Sequence, residues 1–354
     1  MNPDFWRSKS VFLTGHTGFK GGWLALWLTQ CGAQVHGYAL APEKPDNFFE
    51  AVRLSGRLAS SAIADIRDGA ELSAALAASK AQVVFHLAAQ PLVRRSYDAP
   101  VETYATNVIG TANLLEAVRK QDGVDAVVNV TTDKCYENRE WLWPYREDDR
   151  LGGFDPYSSS KAAAELVSAS YRQSYLAARH VGLATARAGN VIGGGDWSDD
   201  RLVPDFFRAA DAGGKLNVRS PKSTRPWQHV LEPLAGYVQL AEALAREPAG
   251  FAEAWNFGPD ETGTQTVEAI LNILCRLQPG AAWINDAQQH PHEARALRLD
   301  SAKAKARLGW QPKWSAETAL EKTVAWYRAW KEGADMTAFS LAQIKDYDAS
   351  VERA

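Results

Sequence analysis

Along the first 190 residues, short apolar runs alternate with longer stretches whose apolar positions recur every three or four residues. The runs at 10–14, 34–39, 83–88, 126–131 and 183–188 have the length of buried strands. The stretches 22–30, 69–79, 101–120 and 158–179 carry the helical period. Strand and helix in regular turn predict an α/β fold, a Rossmann-type doubly wound parallel sheet. Residues 42–58 interrupt that pattern with loop-like, less regular sequence.

Past residue 190 the pattern becomes mixed. Gly193, Gly194, Gly195 and Asp196 stand in a row, and Pro204, Pro221, Pro226 and Pro233 separate short elements. Helices are predicted at 230–245, 266–277 and, as the last element, 315–331. We therefore expect a dinucleotide-binding domain over mainly 1–190 and a smaller mixed α/β substrate-binding domain over mainly 191–354. Part of 230–260 is expected to return to the first domain.

Composition narrows the function classes. At 354 residues, 46% apolar and 23% charged, the chain has the make-up of a folded globular protein. A net charge of −3 and the lack of a Lys/Arg block give no phosphate-tracking stripe, so no nucleic-acid partner is expected. No run approaches 18 uncharged apolar residues, the first ten residues lack an apolar signal core, and a strand begins at Val11. These features predict a soluble cytoplasmic protein without a membrane partner. Cys31, Cys135 and Cys275 are too scattered for a disulfide framework or a metal site. His290 and His292, with Glu293 beside them, sit in irregular sequence that does not make a zinc site, and no metal is expected.

The chemistry starts at the turn Gly15-His16-Thr17-Gly18-Phe19-Lys20-Gly21, which follows a strand and opens a helix. In that context Gly15 permits a tight turn and Gly18 lets a pyrophosphate approach the helix N-terminus. Gly21 or Gly22 lets the helix pack closely. Thr17 stands where the stricter G-x-G-x-x-G motif has glycine, and Phe19 follows Gly18. Asp65 and Ile66 have two readings, a receiver for the adenine ring or a helix-capping end of a strand. Ala88, Ala89 and Gln90 end another strand with small residues, leaving room for ribose and nicotinamide. Neither an acid nor an arginine closes the second strand to choose NAD over NADP by charge.

Three polar residues, Thr132, Asp133 and Lys134, come directly after the run at 126–131, at the strand end where parallel sheets present ligands. Thr132 can hold a sugar hydroxyl, and Asp133 can donate a proton if desolvation raises its pKa. Lys134 is a base if its pKa falls and an electrostatic clamp if it stays charged. Tyr157 and Lys161 are four apart on a predicted helix and so share a face. The ammonium is expected to lower the phenol from about 10 toward neutrality.

Together, Gly15-x-x-Gly18-x-x-Gly21, Thr132-Asp133 and Tyr157-x-x-x-Lys161 resemble the extended short-chain dehydrogenase/reductases. The strings Thr132-Asp133-Lys134-Cys135-Tyr136-Glu137-Asn138, Arg187 to Trp197 and Arg225-Pro226-Trp227-Gln228-His229-Val230 look like the nucleotide-sugar 4,6-dehydratases of that superfamily, the branch acting on CDP-D-glucose. The likeness covers nearly the whole chain. It implies NAD as a tightly held catalyst, and CDP-D-glucose as the partner molecule. Tyr157 takes the 4-hydroxyl proton as hydride leaves carbon 4. Lys161 holds the nicotinamide ribose, Asp133 protonates the departing 6-hydroxyl, and the stored hydride returns to carbon 6.

Related dTDP-glucose dehydratases carry a glutamate where this chain has Lys134, so the carbon-5 base stays open between Lys134 and another group. Asn190 resembles the residue that meets the substrate diphosphate. Arg201, with Leu202 beside it, Arg219 and Arg225 are cationic candidates for that group, and each would serve equally in a surface ion pair. His229 is either a substrate contact or a packed histidine. The resemblance also implies a homodimer or higher homo-oligomer, paired through 101–120 and 158–179, and a place in deoxysugar biosynthesis for lipopolysaccharide O-antigen. Two rivals remain: another nucleotide-sugar dehydratase or epimerase on the same scaffold, and a non-catalytic nucleotide-sugar or dinucleotide sensor.

Overall fold

In the computed structural model, which describes residues 1–260, 263–286 and 296–350, seven parallel strands form one sheet. They are β1 (Ser10–Thr14), β2 (Gln34–Ala39), β3 (Ser60–Ile63), β4 (Val83–His86), β5 (Ala126–Val130), β6 (Gly182–Ala188) and, later in the chain, Ala254–Phe257. Their spatial order runs from Ala254–Phe257 through β6, β5, β4, β1 and β2 to β3. The order reverses between β1 and β4, so a crevice opens above the carboxyl ends of those two strands.

β1, β4, β5 and β6 are buried almost throughout, as strands covered on both faces must be. The Phe19–Gln30 helix buries residues from Gly21 to Leu28 without a polar stripe, because it lies between the sheet and other helices. β3 is the exception. Its Ser60, Ser61 and Ile63 are exposed, so this edge strand carries little apolar signal, and the sequence marks only its end, in one of the two readings of Asp65.

Two long predicted helices are interrupted. The segment 101–120 becomes Pro100–Tyr104, a π-helical turn Ala105–Ile109, and Gly110–Lys120. The segment 158–179 starts at Pro156, with Asp155 capping Ser158 N, and runs regularly to Tyr171. It ends in a π-helical turn Arg172–Leu176 and a short 3₁₀ turn. The expectation that 315–331 ends the fold is corrected. The Ala316–Lys331 helix is followed by another, Met336–Ala349, capped by Asp335. Its apolar positions are weakly periodic, yet it buries Met336, Ile344 and Tyr347. Glu232 anchors it by accepting from Lys313 N, Trp314 N and Tyr347 OH.

After β6 the chain kinks at Gly189 into β7 (Asn190–Ile192), which pairs in parallel with β9 (Thr224–His229). A side chain at Gly189 would meet Pro226 Cγ at 2.4 Å and Asp133 Oδ2 at 3.2 Å, so the close approach of these segments needs glycine. β11 (Thr264–Thr266) pairs antiparallel with β9. β8 (Lys215–Val218) and β12 (Ala282–Asn285) form a separate parallel pair. The chain crosses back to the main sheet through the Leu231–Arg246 helix and Ala254–Phe257, here β10. Among the described residues, no helix is long and apolar enough to cross a membrane. The cysteines at 31, 135 and 275 are free.

Candidate active site

The crevice above β1 and β4 is a cleft of about 380 Å³. Its floor is the glycine turn. Gly15 has φ +81°, and a side chain there would sit 2.7 Å from Ala88 N. A Cβ on Gly21 would fall 2.0 Å from the Gly15 carbonyl oxygen. Glycine at both positions lets turn, helix and neighbouring strand end close on one another. Gly18 is the helix N-cap and supplies no capping side chain, so the backbone N–H groups of the first turn face the cleft.

Every residue expected on a cofactor lines this one cleft: Gly15, Thr17, Gly18, Phe19, Gly21, Asp65, Ile66, Ala88, Ala89, Gln90, Tyr157 and Lys161. Asp65 accepts from Arg67 N and Nε at 2.8 Å, and the Arg67 hydrogen bond holds its carboxyl below the ordinary range. Gln90 is locked by bonds to Leu92 and Thr103. Asn107, which sequence reasoning passed over, bonds the Gln90 backbone in both directions and reaches Ser160 Oγ at 2.8 Å. It thereby fastens the end of the β4 segment to the helix that carries Tyr157.

The cradle fits a dinucleotide. A bare helix N-terminus with no room for a Cβ at Gly15 or Gly21 suits a diphosphate, and Ile66 with small Ala88 and Ala89 offers flat apolar walls.

Thr132 caps the 3₁₀ turn Asp133–Cys135 and donates to Asp133 Oδ1 at 3.1 Å. Asp133 is wholly buried, and Lys134 Nζ lies 3.6 Å from its Oδ1. Its Oδ2 has no hydrogen-bond partner. These three residues stand behind the cleft wall formed by Val130 and Thr131, and Asp133 acts electrostatically on Lys20 and Tyr157.

The expected depression of the Tyr157 pKa is corrected for the protein alone. Burial pushes the phenol up to about 12, outweighing the opposing contact with Thr132. Lys161 is itself lowered to about 8 by burial, and its ammonium donates to the Val130 carbonyl at 3.1 Å. A helical turn brings the two side chains to one cleft, but desolvation dominates their titration.

Of the expected substrate residues, Arg201 lines the cleft and pairs with Asp196 at 3.2 Å. Leu202 begins the next helix, and Asn190 begins β7 with its Oδ1 buried and unpartnered. Arg225 is buried in β9 and donates to the Thr224 carbonyl at 3.0 Å. Arg219 follows β8 and is half-buried. None of these last four lines the cleft. His229 packs edge-on against Trp23 and Trp314, and burial lowers it to about 3, so it sits in aromatic core away from the cleft. The pair His290 and His292 lies outside the described residues. No metal-holding cluster occurs among those described.

Lys20 was passed over at the sequence level. It lines the cleft in the first turn of its helix, and a cation there opposes the helix dipole, which is the signal that could have marked it.

With this geometry in place, comparison with known proteins defines the class. Residues 12–323 match the family model for GDP-mannose 4,6 dehydratase, and the chain belongs to that family. It is 50% identical over 359 aligned residues to a CDP-glucose 4,6-dehydratase of Salmonella typhimurium, covering 100% of both chains. A crystal structure of a dTDP-glucose 4,6-dehydratase from Streptomyces venezuelae with NAD bound superposes with a TM-score of 0.76 at 25% identity, over 92% of this chain and 98% of that one. A UDP-glucose 4-epimerase from Thermotoga maritima shares the fold with a TM-score of 0.79 at 24% identity, over 91% of this chain and 99% of that one.

Proposed function

We infer that this protein is an NAD-dependent lyase that converts CDP-D-glucose to CDP-4-dehydro-6-deoxy-D-glucose and water. The full-length identity of one residue in two to a CDP-glucose 4,6-dehydratase carries the choice of substrate. Tyr157 and Lys161 on one glycine-floored cleft, with the buried Asp133 behind its wall, support the reaction class. NAD, when bound, supplies a reversible two-electron acceptor.

The chain's own residues do the rest. Gly15, Gly18 and Gly21 receive the cofactor diphosphate, and Asp65 with Ile66 takes the adenosine end. Tyr157 removes the proton of the sugar 4-hydroxyl, and Lys161 favours the ionised phenol and holds the ribose. Thr132 orients the 4-hydroxyl. The 4-keto group acidifies carbon 5, and Lys134 removes that proton or steadies the charge that develops. Asp133 protonates the leaving 6-hydroxyl; its burial and its free Oδ2 suit an acid that gives up a proton inside a dry site. Asn190 and Arg201 meet the substrate diphosphate, with Arg219 and Arg225 as further cationic contacts.

The chain divides near residue 190 into cofactor-binding and sugar-binding parts, with β10 on the cofactor side. Two copies pair through the helices at 100–120 and 156–171. Val101 is 80% exposed, Ile109 55% and Leu166 62%, an apolar face that a second copy would cover. The product is an intermediate of deoxysugar assembly, of the kind used in O-antigen.

The test is parallel incubation with CDP-, dTDP-, UDP- and GDP-glucose in deuterated water, with products identified. CDP-glucose should give a 6-deoxy product bearing deuterium at carbon 5. Turnover without such exchange would overturn the dehydratase reading and favour an epimerase; tight nucleotide-sugar binding without turnover would favour a sensor.

A further inference from the structure

Three segments rim the cleft, and a ring of ion pairs ties them together. The first, 40–47, follows β2; the second is the Val93–Asp98 helix after β4; the third, 195–201, follows β7. Lys44 Nζ lies 2.5 Å from Asp199 Oδ1 and joins the first to the third. Arg95 Nη1 lies 2.7 Å from Glu43 Oε1 and joins the second to the first. Arg94 Nη1 lies 2.9 Å from Asp200 Oδ1 and joins the second to the third. The partners stand 155, 52 and 106 residues apart in the chain, so no local turn brings them together. The six side chains are between 35% and 71% exposed, which puts the ring where the cleft meets solvent. Glu43, Lys44, Arg95 and Asp199 also line the cleft itself.

The first segment is built as a flap. Its entrance is pinned where Thr17 Oγ1 donates to the Leu40 carbonyl at 2.8 Å. Its exit is pinned at Phe48, which stacks on Trp23 at 4.6 Å and lies so close to Gly195 that a Cβ there would meet Phe48 Cδ2 at 2.5 Å. Between the pins, residues 41–46 belong to no helix or strand. Asn47 Nδ2 donates to the carbonyls of Lys44 and Pro45 at 2.8 and 3.1 Å, so this stretch holds one shape. Glu43 and Lys44 fasten it to the other two segments. Their partners are braced from behind. Arg95 Nη2 bonds Glu102 at 3.0 Å, and Asp199 lies 3.5 Å from Arg208 Nη2. The Arg94–Asp200 pair keeps these two posts at a fixed separation.

Resting on the NAD cleft of the reading above, we propose that this ring is a gate on dinucleotide exchange. NAD enters and leaves only when Glu43 and Lys44 let go of Arg95 and Asp199. One exposed ion pair holds little by itself, but the flap must release both at once, so their effects combine in the opening step. Salt screens charges at a solvent rim, so ionic strength sets the rate of exchange. NAD is restored at the end of each turnover, and a gate that slows its exit therefore does not slow the reaction.

The experiment measures NADH passage in both directions. Mixing protein with NADH gives the entry rate, and chasing NADH-loaded protein with excess NAD gives the release rate from the loss of bound fluorescence. In the double variant Glu43→Gln, Lys44→Met both rates should rise about tenfold, with Kd within about twofold of wild type, because a gate hinders both directions alike. Lys44→Met and Asp199→Asn should each give about threefold, and the two combined should be no faster than either alone, since one pair is broken only once. Raising salt from about 0.05 to about 0.5 M should speed the wild type and leave Glu43→Gln, Lys44→Met nearly unchanged. Wild-type rates in that double variant would overturn the gate. So would faster release with unchanged entry, which would make these side chains direct contacts of the dinucleotide, and so would additive effects of Lys44→Met and Asp199→Asn. A wild-type protein that bound no NADH would instead remove the cofactor reading, and the gate with it.

Discussion

Beneath the cleft, Glu165 and Arg187 form an ion pair whose side chains are each 3% exposed and whose polar atoms are all engaged. Thr131, Thr185 and two guanidinium nitrogens share the carboxylate, while Tyr136 OH and the Glu147 carbonyl take the third nitrogen. Behind the cleft wall, Asp133 is equally buried but leaves one oxygen bare, and among the described residues Lys20, on the cleft itself, makes no ion pair. Both regions bury charge. The lower one is closed on itself and ties β6 to the Pro156–Tyr171 helix; the upper one leaves a carboxylate oxygen unpaired. Full pairing is what a structural network needs, and an unpaired buried carboxylate oxygen is what a general acid would need.

The sharpest way to break this contrast is at the upper region. Tyr157→Phe should lower turnover by about 10³-fold, about 4 kcal/mol of barrier, while NAD binding and melting temperature stay near wild type. Near-normal turnover would refute the role given to the hydroxyl. The opposite outcome is expected below. Arg187→Met leaves the Glu165 charge buried and alone, so denaturant titration should show about 3–5 kcal/mol lost. If that variant kept full stability and lost only activity, the division into structural and chemical charge would fail.

A smaller effect is expected at Gly21→Ala. The added methyl meets the Gly15 carbonyl, so the turn must shift at about 1–3 kcal/mol. Calorimetry should find weaker NAD binding with the substrate site intact.

The smallest effect concerns acid. His16 is lowered to about 4, and His86 and His229 to about 3, all chiefly by burial. Each binds a proton more readily unfolded, near 6.5, than folded. The unfolded state therefore carries more protons below that value, and stability is lost as pH falls from about 6.5 toward 3. His229→Gln should flatten that slope in melting curves without affecting turnover, since His229 lies in the aromatic core. An unchanged slope would show that its burial is not what sensitises the fold.

Much of this architecture was legible from local pattern. β1, β4, β5 and β6 are unbroken apolar runs because both sheet faces are covered, and such runs announce themselves. The glycine turn, Tyr157-x-x-x-Lys161 and Thr132-Asp133 were legible because each works through spacing within one turn or one strand end. β3 was legible only as one of two readings, a strand end at Asp65, because an exposed edge strand needs few apolar residues. The Met336–Ala349 helix was not, because its docking onto Glu232 and Trp27 is a long-range matter.

The sequence by itself determined the class of sheet and nominated the candidate residues at its strand ends, since periodicity and motif spacing are properties of neighbours along the chain. Tertiary structure alone decided which of those groups face one cleft, that His229 does not, and that Lys20 does. It also decided that burial overrides the Tyr157–Lys161 spacing in setting their pKa values. Desolvation depends on everything packed around a group, and that surrounding is assembled from strands and helices far apart in the chain.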